Sequence, residues 1–385
     1  MKKFLSVCKR YSPEIGGIEI VAEKIAKIAI EEGYSSEIIT FNNDNVMKEE
    51  IIENIKVSRL PTIFEKGSIR LSFKYKEMMK RKAKDTDLIL FHFPCFQPEI
   101  DFLFKDKYKK IKKICFYHGH VIGQGLLSVL YNKIITRRFL DAMDIIIVTS
   151  PNIKNSSFLL RDYQEKIEVI PLFVNLKHFY YREDNKRKFL LNKFKNKKEK
   201  IVMYIGRLGR YKGLNYLVKS YKYLDKEIGI VIIGEGPKEK EIKKLVDDLN
   251  LSKDILFLNH VPYSELPSYY SAADVFVLPS DSGEAFGLVA IEAMACGIPV
   301  ITTELGTGTS YHNIDGVTGR VIPPKNEEEI AKAIKEILFE NPERYKKENI
   351  IKRAAEFSYE NFEKNVVEKI LSWKIMISEN AILKL

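Results

Sequence analysis

Long apolar runs, paired cysteines and an excess of acidic residues are all missing from this chain of 385 residues. No stretch of about 18 uncharged apolar residues occurs, so the sequence predicts no transmembrane helix. The first apolar run, Phe4 to Cys8, is shorter than the ~7 residues that a signal peptide core needs. The four cysteines form no CxxC pair, which favours a reduced, cytoplasmic location over a disulfide framework and predicts no metal site.

Positive charge is what the chain has in excess, with a formal net charge of +11. Three interpretations stay open: solvated faces, a nucleic acid, or an anionic membrane surface. The segment Lys66–Lys84 holds eight Lys or Arg residues and one Glu. Its apolar residues fit one side of a helix, which predicts an interfacial basic helix, with a solvated basic helix as the alternative. Those apolar residues are Ile69, Leu71, Phe73, Met78 and Met79.

Short β-branched or aromatic runs alternate with longer helical patterns along the chain, which predicts an α/β fold with parallel sheets covered on both faces. There are enough units for two doubly wound domains, separated near the charged stretch Tyr181–Lys200. The predicted strands are Lys2–Cys8, Ser36–Phe41, Asp87–Phe93, Lys112–His118, Asp144–Ser150, Ile167–Pro171, Lys200–Gly206, Ile228–Gly234, Ile255–Leu258, Asp274–Pro279 and Ile298–Thr303.

The loops that follow these strands are the predicted binding positions, because ligands of doubly wound sheets bind outside the carboxyl ends of the strands. Gly16 and Gly17 precede a helix, where backbone N–H groups attract anions. His118 stands at the carboxyl end of a predicted strand, and Arg207 and Lys212 flank a turn that opens a helix. Each of these also has a structural interpretation, as a loop glycine, a structural histidine or a solvated loop. A GxGxxG pattern is lacking, which disfavours a nicotinamide dinucleotide site.

The segment "GEAFGLVAIEAMACGIPVITTELG" carries two glutamates eight positions apart, Glu284 and Glu292, in apolar surroundings. Eight helical residues span about 12 Å, which is the scale of an extended nucleotide sugar. We expect Glu284 to meet sugar hydroxyls and Glu292 to accept from the ribose. Free N–H groups of the helix start would face the phosphates. The structural alternative is an ion pair or a charge at a helix start.

Taken together, these segments resemble the retaining family 4 glycosyltransferases, which have the GT-B fold of two Rossmann-like domains facing a cleft. The matching stretches, in the expected order, are "GGIE", "HG" at 118–119, "GRLGRYKG", "VIIGEGP", "ADVFVLPS", "EAFGLVAIEAMACGIPVI" and "DGVTGRVIPP". The resemblance implies an acceptor-binding domain over 1–175, a nucleotide-sugar-binding domain over 176–359, and a C-terminal helix, 360–385, that packs back on the first.

The same resemblance assigns roles to single residues. The catalytic candidates are His118, near the donor sugar, Arg207 and Lys212, on the diphosphate, and Glu284, on the transferred sugar. The nucleotide-sugar-binding candidates are Gly16, Gly17, Gly234, Val261, Phe286, Gly287, Leu288 and Glu292.

The residue types favour a particular chemistry. No second glutamate stands beside Glu284, so same-face attack is favoured over double displacement. No DxD motif occurs, so we expect metal independence and no cofactor beyond the donor, a GDP- or UDP-sugar. The stretch Glu304–Gly316 resembles polysaccharide mannosyltransferases and favours mannose. The expected acceptor is a glycan or lipid-linked molecule at the inner face of the membrane, which an anionic surface would help to recruit.

Two other classes of function stay open. One is a nucleotide-sugar epimerase of the same fold, which the combination of Arg207, Lys212, Glu284 and Glu292 disfavours. The other is a basic nucleic-acid-binding protein without catalysis. A recognisable binding module is lacking, so we expect no nucleic-acid partner.

Overall fold

The structure is a computed structural model that describes residues 1–14, 16–43, 46–66, 69–103, 108–119 and 130–372. The chain divides into two compact units. The N-terminal unit contains Met1–Thr149, Ser157–Pro171 and the chain from Phe362 onward, and the C-terminal unit contains Ser150–Ser156 and Leu172–Asn361. The sequence analysis placed the boundary between these units at 175/176 rather than 171/172.

The N-terminal unit is built on an eight-stranded sheet with a separate two-stranded hairpin, β5–β6. Its strands are β1 Lys3–Val7, β2 Ser35–Phe41, β3 Lys48–Ile52, β4 Ile55–Leu60, β5 Phe64–Lys66, β6 Ile69–Leu71, β7 Leu88–Phe93, β8 Lys112–Tyr117, β9 Ile145–Val148 and β10 Ile167–Val169. The order in the large sheet is β10-β9-β8-β7-β1-β2-β4-β3. Every neighbouring pair is parallel except β3 and β4, which are antiparallel.

The helices of this unit follow the strands that they cover. They are α1 Gly17–Glu31, α2 Tyr75–Ala83, α3 Phe96–Asp101, a π-helical turn Tyr131–Thr136 that continues into α4 Arg137–Asp141, and a 3₁₀ segment Arg161–Lys166. The apolar face of α1 packs on the sheet through buried valine, isoleucine and alanine side chains, as expected for an amphipathic helix.

The C-terminal unit is built on a six-stranded, wholly parallel sheet of order β13-β12-β11-β14-β15-β16. Its strands are β11 Lys200–Ile205, β12 Ile228–Ile233, β13 Ile255–Leu258, β14 Val275–Leu278, β15 Val300–Thr303 and β16 Gly319–Ile322. Successive strands are added on one side of β11 and then on the other, starting with β14. The strand order therefore reverses between β11 and β14, and such switch points are where doubly wound sheets bind ligands.

Most helices of the C-terminal unit alternate with its strands. They are α5 Pro151–Ser156, α6 Lys186–Lys193, α7 Leu214–Ser220, α8 Glu239–Asp248, α9 Leu266–Ala272, α10 Leu288–Ala295, α11 Gly308–His312, α12 Glu327–Lys335, α13 Lys347–Ala355 and the start of α14 Tyr359–Val366. Short 3₁₀ or π-helical turns lie at Arg210–Lys212, Tyr221–Tyr223, Tyr263–Glu265, Glu336–Glu340 and Pro342–Arg344.

The predicted α/β class with two doubly wound parallel sheets is confirmed. Each predicted strand corresponds to an observed one, because near-continuous apolar runs are typical of strands that are buried on both faces. The strands that the sequence analysis missed are β3, β4, β5, β6 and β16. Of these, β3 (KEEII) has an almost wholly exposed sequence that does not alternate.

The predicted interfacial helix over Lys66–Lys84 is wrong. Lys66 ends β5, Ile69 begins β6, and only Tyr75–Ala83 is helical. Arg70 is buried and donates to the Glu65 carboxylate at 3.0 Å and the Phe41 carbonyl at 3.2 Å, which holds the hairpin against the sheet. The apolar side chains do not share an outer face either, because Met78 and Met79 are buried whereas Phe73 is 86% exposed.

The C-terminal segment packs on the N-terminal unit. Beyond α14, the π-helical turn Val367–Leu371 receives a hydrogen bond at its last carbonyl from the Tyr34 hydroxyl, at 3.0 Å. Lys369 Nζ donates to the Val169 carbonyl at 2.7 Å. The rest of the predicted helix, 373–385, lies outside the described residues. Within the described part of the chain, no helix has the length and apolar character to cross a membrane.

Candidate active site

Three loops meet at the switch point of the C-terminal unit, and glycines allow them to touch. Gly213 has a φ of +64°, and a Cβ there would lie 1.8 Å from the Pro279 carbonyl oxygen. Gly234 has a φ of +135°, and its Cβ would lie 2.0 Å from the Gly206 carbonyl oxygen. The predicted residue Gly234 therefore allows the loops after β11 and β12 to pack in direct contact, since a side chain there would push them apart.

The loops after β11 and β14 bring a cation and a carboxylate together. Lys212 Nζ forms an ion pair with Glu284 Oε2, and the two side chains are only 12% and 13% exposed. The Ser280 hydroxyl donates to the same oxygen at 3.2 Å. Arg207 is exposed and has no ion-pair partner among the described residues. Sequence reasoning placed Lys212 and Glu284 at one ligand but did not foresee their direct contact.

The start of α10 presents backbone donors without acceptors. The carbonyls of Ala285, Phe286 and Gly287 accept from Gly308 N, His312 Nε2 and Ala290 N, at 2.8, 2.8 and 2.9 Å. In contrast, no hydrogen bond from the N–H groups of the predicted residues Phe286, Gly287 and Leu288 reaches another described residue. Such N–H groups at a helix start form an anion-binding position.

His312 holds this loop in place and was missed by sequence reasoning. It is buried, and its Nε2 donates to the Phe286 carbonyl, which fixes the loop that precedes α10. Its own position is fixed through Arg353, which donates to the His312 carbonyl at 3.1 Å. Nothing in the stretch "GTSYHNIDG" identifies this contact, because it depends on how α11 packs against a loop more than twenty residues earlier.

Glu292 lies one turn into α10 and is half-buried. The buried Tyr270 hydroxyl donates to its Oε2 at 2.7 Å. Burial raises the pKa of Glu292 to about 7, although the hydrogen bond from Tyr270 acts in the opposite direction. Val261 is half-buried and follows β13, the strand at the edge of the sheet.

In the N-terminal unit, Gly16 and Gly17 stand at the start of α1, the longest helix of that unit among the described residues. Gly16 precedes the helix, and no side chain caps the helix start. A Cβ at Gly17 would meet no atom within 4 Å, so the space in front of this backbone is open. A Cβ at Gly16 would lie 2.6 Å from Glu19 Oε2, so this position is less open than that of Gly17.

His118 is buried directly after β8 and is paired with a second histidine that sequence reasoning missed. His92 Nδ1 lies 3.0 Å from His118 Nε2. Burial lowers the pKa of His92 to about 3, and burial together with His92 lowers that of His118 well below its ordinary value. In the sequence, His92 lies inside the apolar run "LILFHF", which has the appearance of plain core.

Taken together, the C-terminal unit presents cations, a shielded carboxylate and free N–H groups at the switch point of a doubly wound sheet. This arrangement is suited to a phosphorylated ligand with hydroxyl groups. Among the described residues, no three His, Cys, Asp or Glu side chains are grouped so that they could hold a metal ion.

Comparison with known proteins defines the class further. The family described as "Glycosyltransferase Family 4" matches residues 15–178, and that described as "Glycosyl transferases group 1" matches residues 185–357. O-antigen chain mannosyltransferase C of Escherichia coli is 29% identical over 337 residues, which are 87% of this chain and 88% of that protein. D-rhamnosyltransferase WbpZ of Pseudomonas aeruginosa is 28% identical over 347 residues, which are 89% and 87% of the two chains.

Solved structures agree with this at the level of the fold. Sucrose-phosphate synthase from Thermosynechococcus elongatus has a TM-score of 0.77 at 24% identity, covering 98% of this chain and 100% of that one. Anabaena HepE in complex with UDP and glucose has a TM-score of 0.75 at 16% identity, covering 97% and 100%. The chain is thus a glycosyltransferase of the GT-B type, with a family 4 domain followed by a group 1 domain.

Proposed function

We propose that the chain transfers a hexose, with mannose favoured, from a nucleoside-diphosphate sugar to a glycan or lipid-linked acceptor, with retention of configuration. One observation carries the proposal: Lys212, Glu284 and the free N–H groups at the start of α10 lie in one set of loops. The similarity to the O-antigen chain mannosyltransferase supports mannose. A GDP-mannose-dependent mannosyltransferase of Mycolicibacterium smegmatis, which is 25% identical over 230 residues or 57% of this chain, supports a GDP-linked donor. Nucleic acid is not among the proposed partners.

The proposed roles follow the geometry of the C-terminal unit. Arg207 and Lys212 hold the diphosphate together with the N–H groups of Phe286, Gly287 and Leu288, because these groups are cations and free donors of the same loops. Glu284 accepts from hydroxyls of the transferred sugar, and Glu292 accepts from the ribose. Val261 and Gly234 line the path of the nucleotide.

The N-terminal unit contributes Gly16 and Gly17, whose backbone contacts the diphosphate, and His118, which contacts the donor sugar. These three roles are the ones implied by the resemblance. Open space in front of Gly17 is consistent with close approach of a ligand.

The proposed reaction is a same-face attack. The acceptor hydroxyl oxygen bonds to the anomeric carbon while the bond from that carbon to the diphosphate oxygen breaks. The leaving phosphate oxygen takes the proton of the acceptor hydroxyl, so no protein base is required. Negative charge grows on this phosphate, and Lys212, Arg207 and the helix N–H groups stabilise it. These cations supply what a divalent metal supplies in other enzymes, so the proposed reaction is metal-independent.

Calorimetry on two variants tests the assignment of the carboxylates. We expect Glu292→Gln to weaken GDP and GDP-mannose alike by roughly tenfold or more, because a charged hydrogen bond to the ribose is worth about 1.5–3 kcal/mol. Glu284→Gln should leave GDP binding equal or slightly tighter, since Lys212 is released toward the phosphates, while the added affinity from the sugar is lost. The inverted pattern would mean that the ligand lies in the opposite direction.

The same titrations with UDP and UDP-glucose identify the nucleobase of the donor. A higher affinity for UDP than for GDP would overturn the proposed GDP-linked donor. Incubation of the wild type with donor alone separates transfer from epimerisation. An isomerised nucleotide sugar would favour the epimerase, whereas slow release of free mannose and nucleoside diphosphate is expected for a transferase that lacks its acceptor.

A cytoplasmic, peripheral position at an anionic membrane surface is also proposed, on a different basis from the incorrect interfacial helix. Arg81 and Lys82 of α2 are neutralised by Glu49 and Glu37. Another face of α2 carries exposed lysines that have no ion pair with any described residue, at an opening of about 400 Å³. These lysines are Lys76 and Lys80 of α2 and Lys84, which directly follows the helix.

We expect the triple change of Lys76, Lys80 and Lys84 to glutamate to release the protein from anionic vesicles. Each basic residue near an anionic surface contributes on the order of 1 kcal/mol, and salt screens that contribution. Sedimentation with vesicles across a salt series measures it. Glutamate at the exposed Lys188, Lys195 and Lys219 of the C-terminal unit gives the same change in net charge and should leave binding largely intact. Equal sedimentation of both triple variants and the wild type would refute the assignment to α2.

A further inference from the structure

The contact between His92 and His118 is set by the pairing of β7 and β8. His92 is opposite Phe116 in the register of these parallel strands, and His118 follows Phe116 by two residues. Side chains two residues apart point to the same face of a sheet, so the three rings share one face. Their planes are nearly parallel, and the ring of His118 lies 4.6 Å from Phe116 and 5.3 Å from His92 between centroids.

The two imidazoles share a single hydrogen bond, and this links their tautomers. Both rings are buried, and burial lowers both pKa values, so each ring is neutral and carries one N–H. A hydrogen bond between His92 Nδ1 and His118 Nε2 requires one ring to donate and the other to accept. The position of the proton in one ring therefore determines which nitrogen of the other ring is protonated.

The second nitrogen of His92 decides which ring donates. His92 Nε2 is buried and has no hydrogen-bond partner in the described part of the chain. If His118 donated, His92 would have to carry its proton on this Nε2 and bury an N–H without an acceptor. Buried N–H groups without acceptors are rare in proteins, and leaving one costs free energy. Donation from His92 Nδ1 avoids this, and the proton of His118 then lies on Nδ1.

We propose that His92 is a positioning residue that holds His118 as the Nδ1–H tautomer, so that His118 offers the donor sugar a hydrogen-bond donor and not an acceptor. The inference deepens the proposed function, because it rests on the role of His118 at the sugar. His92 itself touches no substrate in this proposal. It acts through His118, much as an orienting partner selects the tautomer of a histidine elsewhere.

The variants His92→Asn and His92→Leu test this directly. The amide nitrogen of asparagine can replace Nδ1 as the donor, whereas leucine cannot donate. We expect His118 to be the Nδ1–H tautomer in the wild type and in His92→Asn, and a mixture in His92→Leu. Long-range ¹H–¹⁵N correlation spectra report the tautomer, and with six histidines in the chain the signals can be assigned from single substitutions.

Kinetics give the second readout. With saturating GDP-mannose, His92→Leu should lower kcat of mannose release by about tenfold or more, because loss of orientation at a reacting centre can cost up to about 100-fold. Its affinity for the bare nucleoside diphosphate should equal that of the wild type, and His92→Asn should recover most of kcat. A purely structural role would instead lower the melting temperature and affect both variants without the tautomer pattern.

Several outcomes would overturn the inference. One is an Nε2–H tautomer of His118 in the wild type, which needs no variant and so decides the case even if His92→Leu does not fold. Another is a single Nδ1–H tautomer in His92→Leu. A third is wild-type kcat in His92→Leu despite mixed tautomers. Failure of the proposed function on which the inference rests is distinguishable, because the wild type would then release no mannose from GDP-mannose while the spectra still showed the linked pair.

Discussion

Replacement of Lys212 by methionine is expected to lower kcat of sugar transfer about 100- to 1,000-fold, the range seen when one preorganised donor to a growing oxyanion is lost. Methionine keeps much of the length and apolar contact of the lysine stem but removes the charge. In the wild type, the Lys212 ammonium lies on the Glu284 carboxylate in surroundings that are mostly closed to water. A diphosphate that enters these loops therefore meets a cation that is already shielded from water, and Lys212 then shares its charge between Glu284 and the phosphates.

The same change should also reduce stability, because the Glu284 carboxylate loses its ion pair and, among the described residues, retains only the Ser280 hydroxyl as a partner. Breaking a buried pair by removing one partner costs up to about 3–5 kcal/mol, and partial exposure of this pair makes the expected cost smaller. The double variant Lys212→Met, Glu284→Gln should regain stability without regaining activity. Such a pattern separates the catalytic contribution of the cation from its structural one.

Two single variants serve as controls. Arg207→Met should lower kcat with an unchanged melting temperature, because Arg207 is exposed and has no ion-pair partner among the described residues. Lys219→Met removes an exposed charge on α7 and should change neither quantity. Wild-type kcat in Lys212→Met, measured with saturating donor, would remove Lys212 from the diphosphate site.

The fold could be predicted where burial leaves a simple pattern. Strands such as β11 and β14 are continuous apolar runs because helices cover both faces of the sheet. β3 does not show this apolar pattern, because it is an exposed strand at the end of the sheet and pairs antiparallel with β4. The segment around Phe73 was misread because its apolar spacing is compatible with a helix, whereas the buried Arg70 holds it as a hairpin.

Sequence reasoning could predict residues of the candidate site only from their position near the end of a strand. Arg207 and Glu284 follow strands, and the carboxyl ends of parallel strands meet at one edge of the sheet. Contacts between segments remote in sequence could not be derived in this way. His92 and His118 meet because of the register between β7 and β8, and Tyr270 reaches Glu292 because α9 packs on α10. Local sequence contains no information on such registers.

The change Gly213→Ala should strongly destabilise the C-terminal unit, although it adds only one methyl group. At a φ of +64°, the left-handed conformation costs an L-residue about 1–2 kcal/mol. The new Cβ would also lie 1.8 Å from the Pro279 carbonyl oxygen, which is backbone and cannot rotate away. Forced overpacking adds about 1–3 kcal/mol, occasionally more. We expect the melting temperature of this unit to fall by roughly 10 °C.

The chain offers a matched control in Gly33, which has a φ of +81° but open space around its Cβ position. Gly33→Ala loses only the free energy that the left-handed backbone conformation costs an L-residue, without a clash. The melting temperature of this variant should therefore fall by a few degrees at most. The difference between the two variants isolates the clash between the loops after β11 and β14. Displacement of these loops would also move Lys212 away from Glu284, so Gly213→Ala should lose transfer activity even below its melting temperature. Equal melting temperatures for both alanine variants would show that the two loops do not depend on close contact at Gly213.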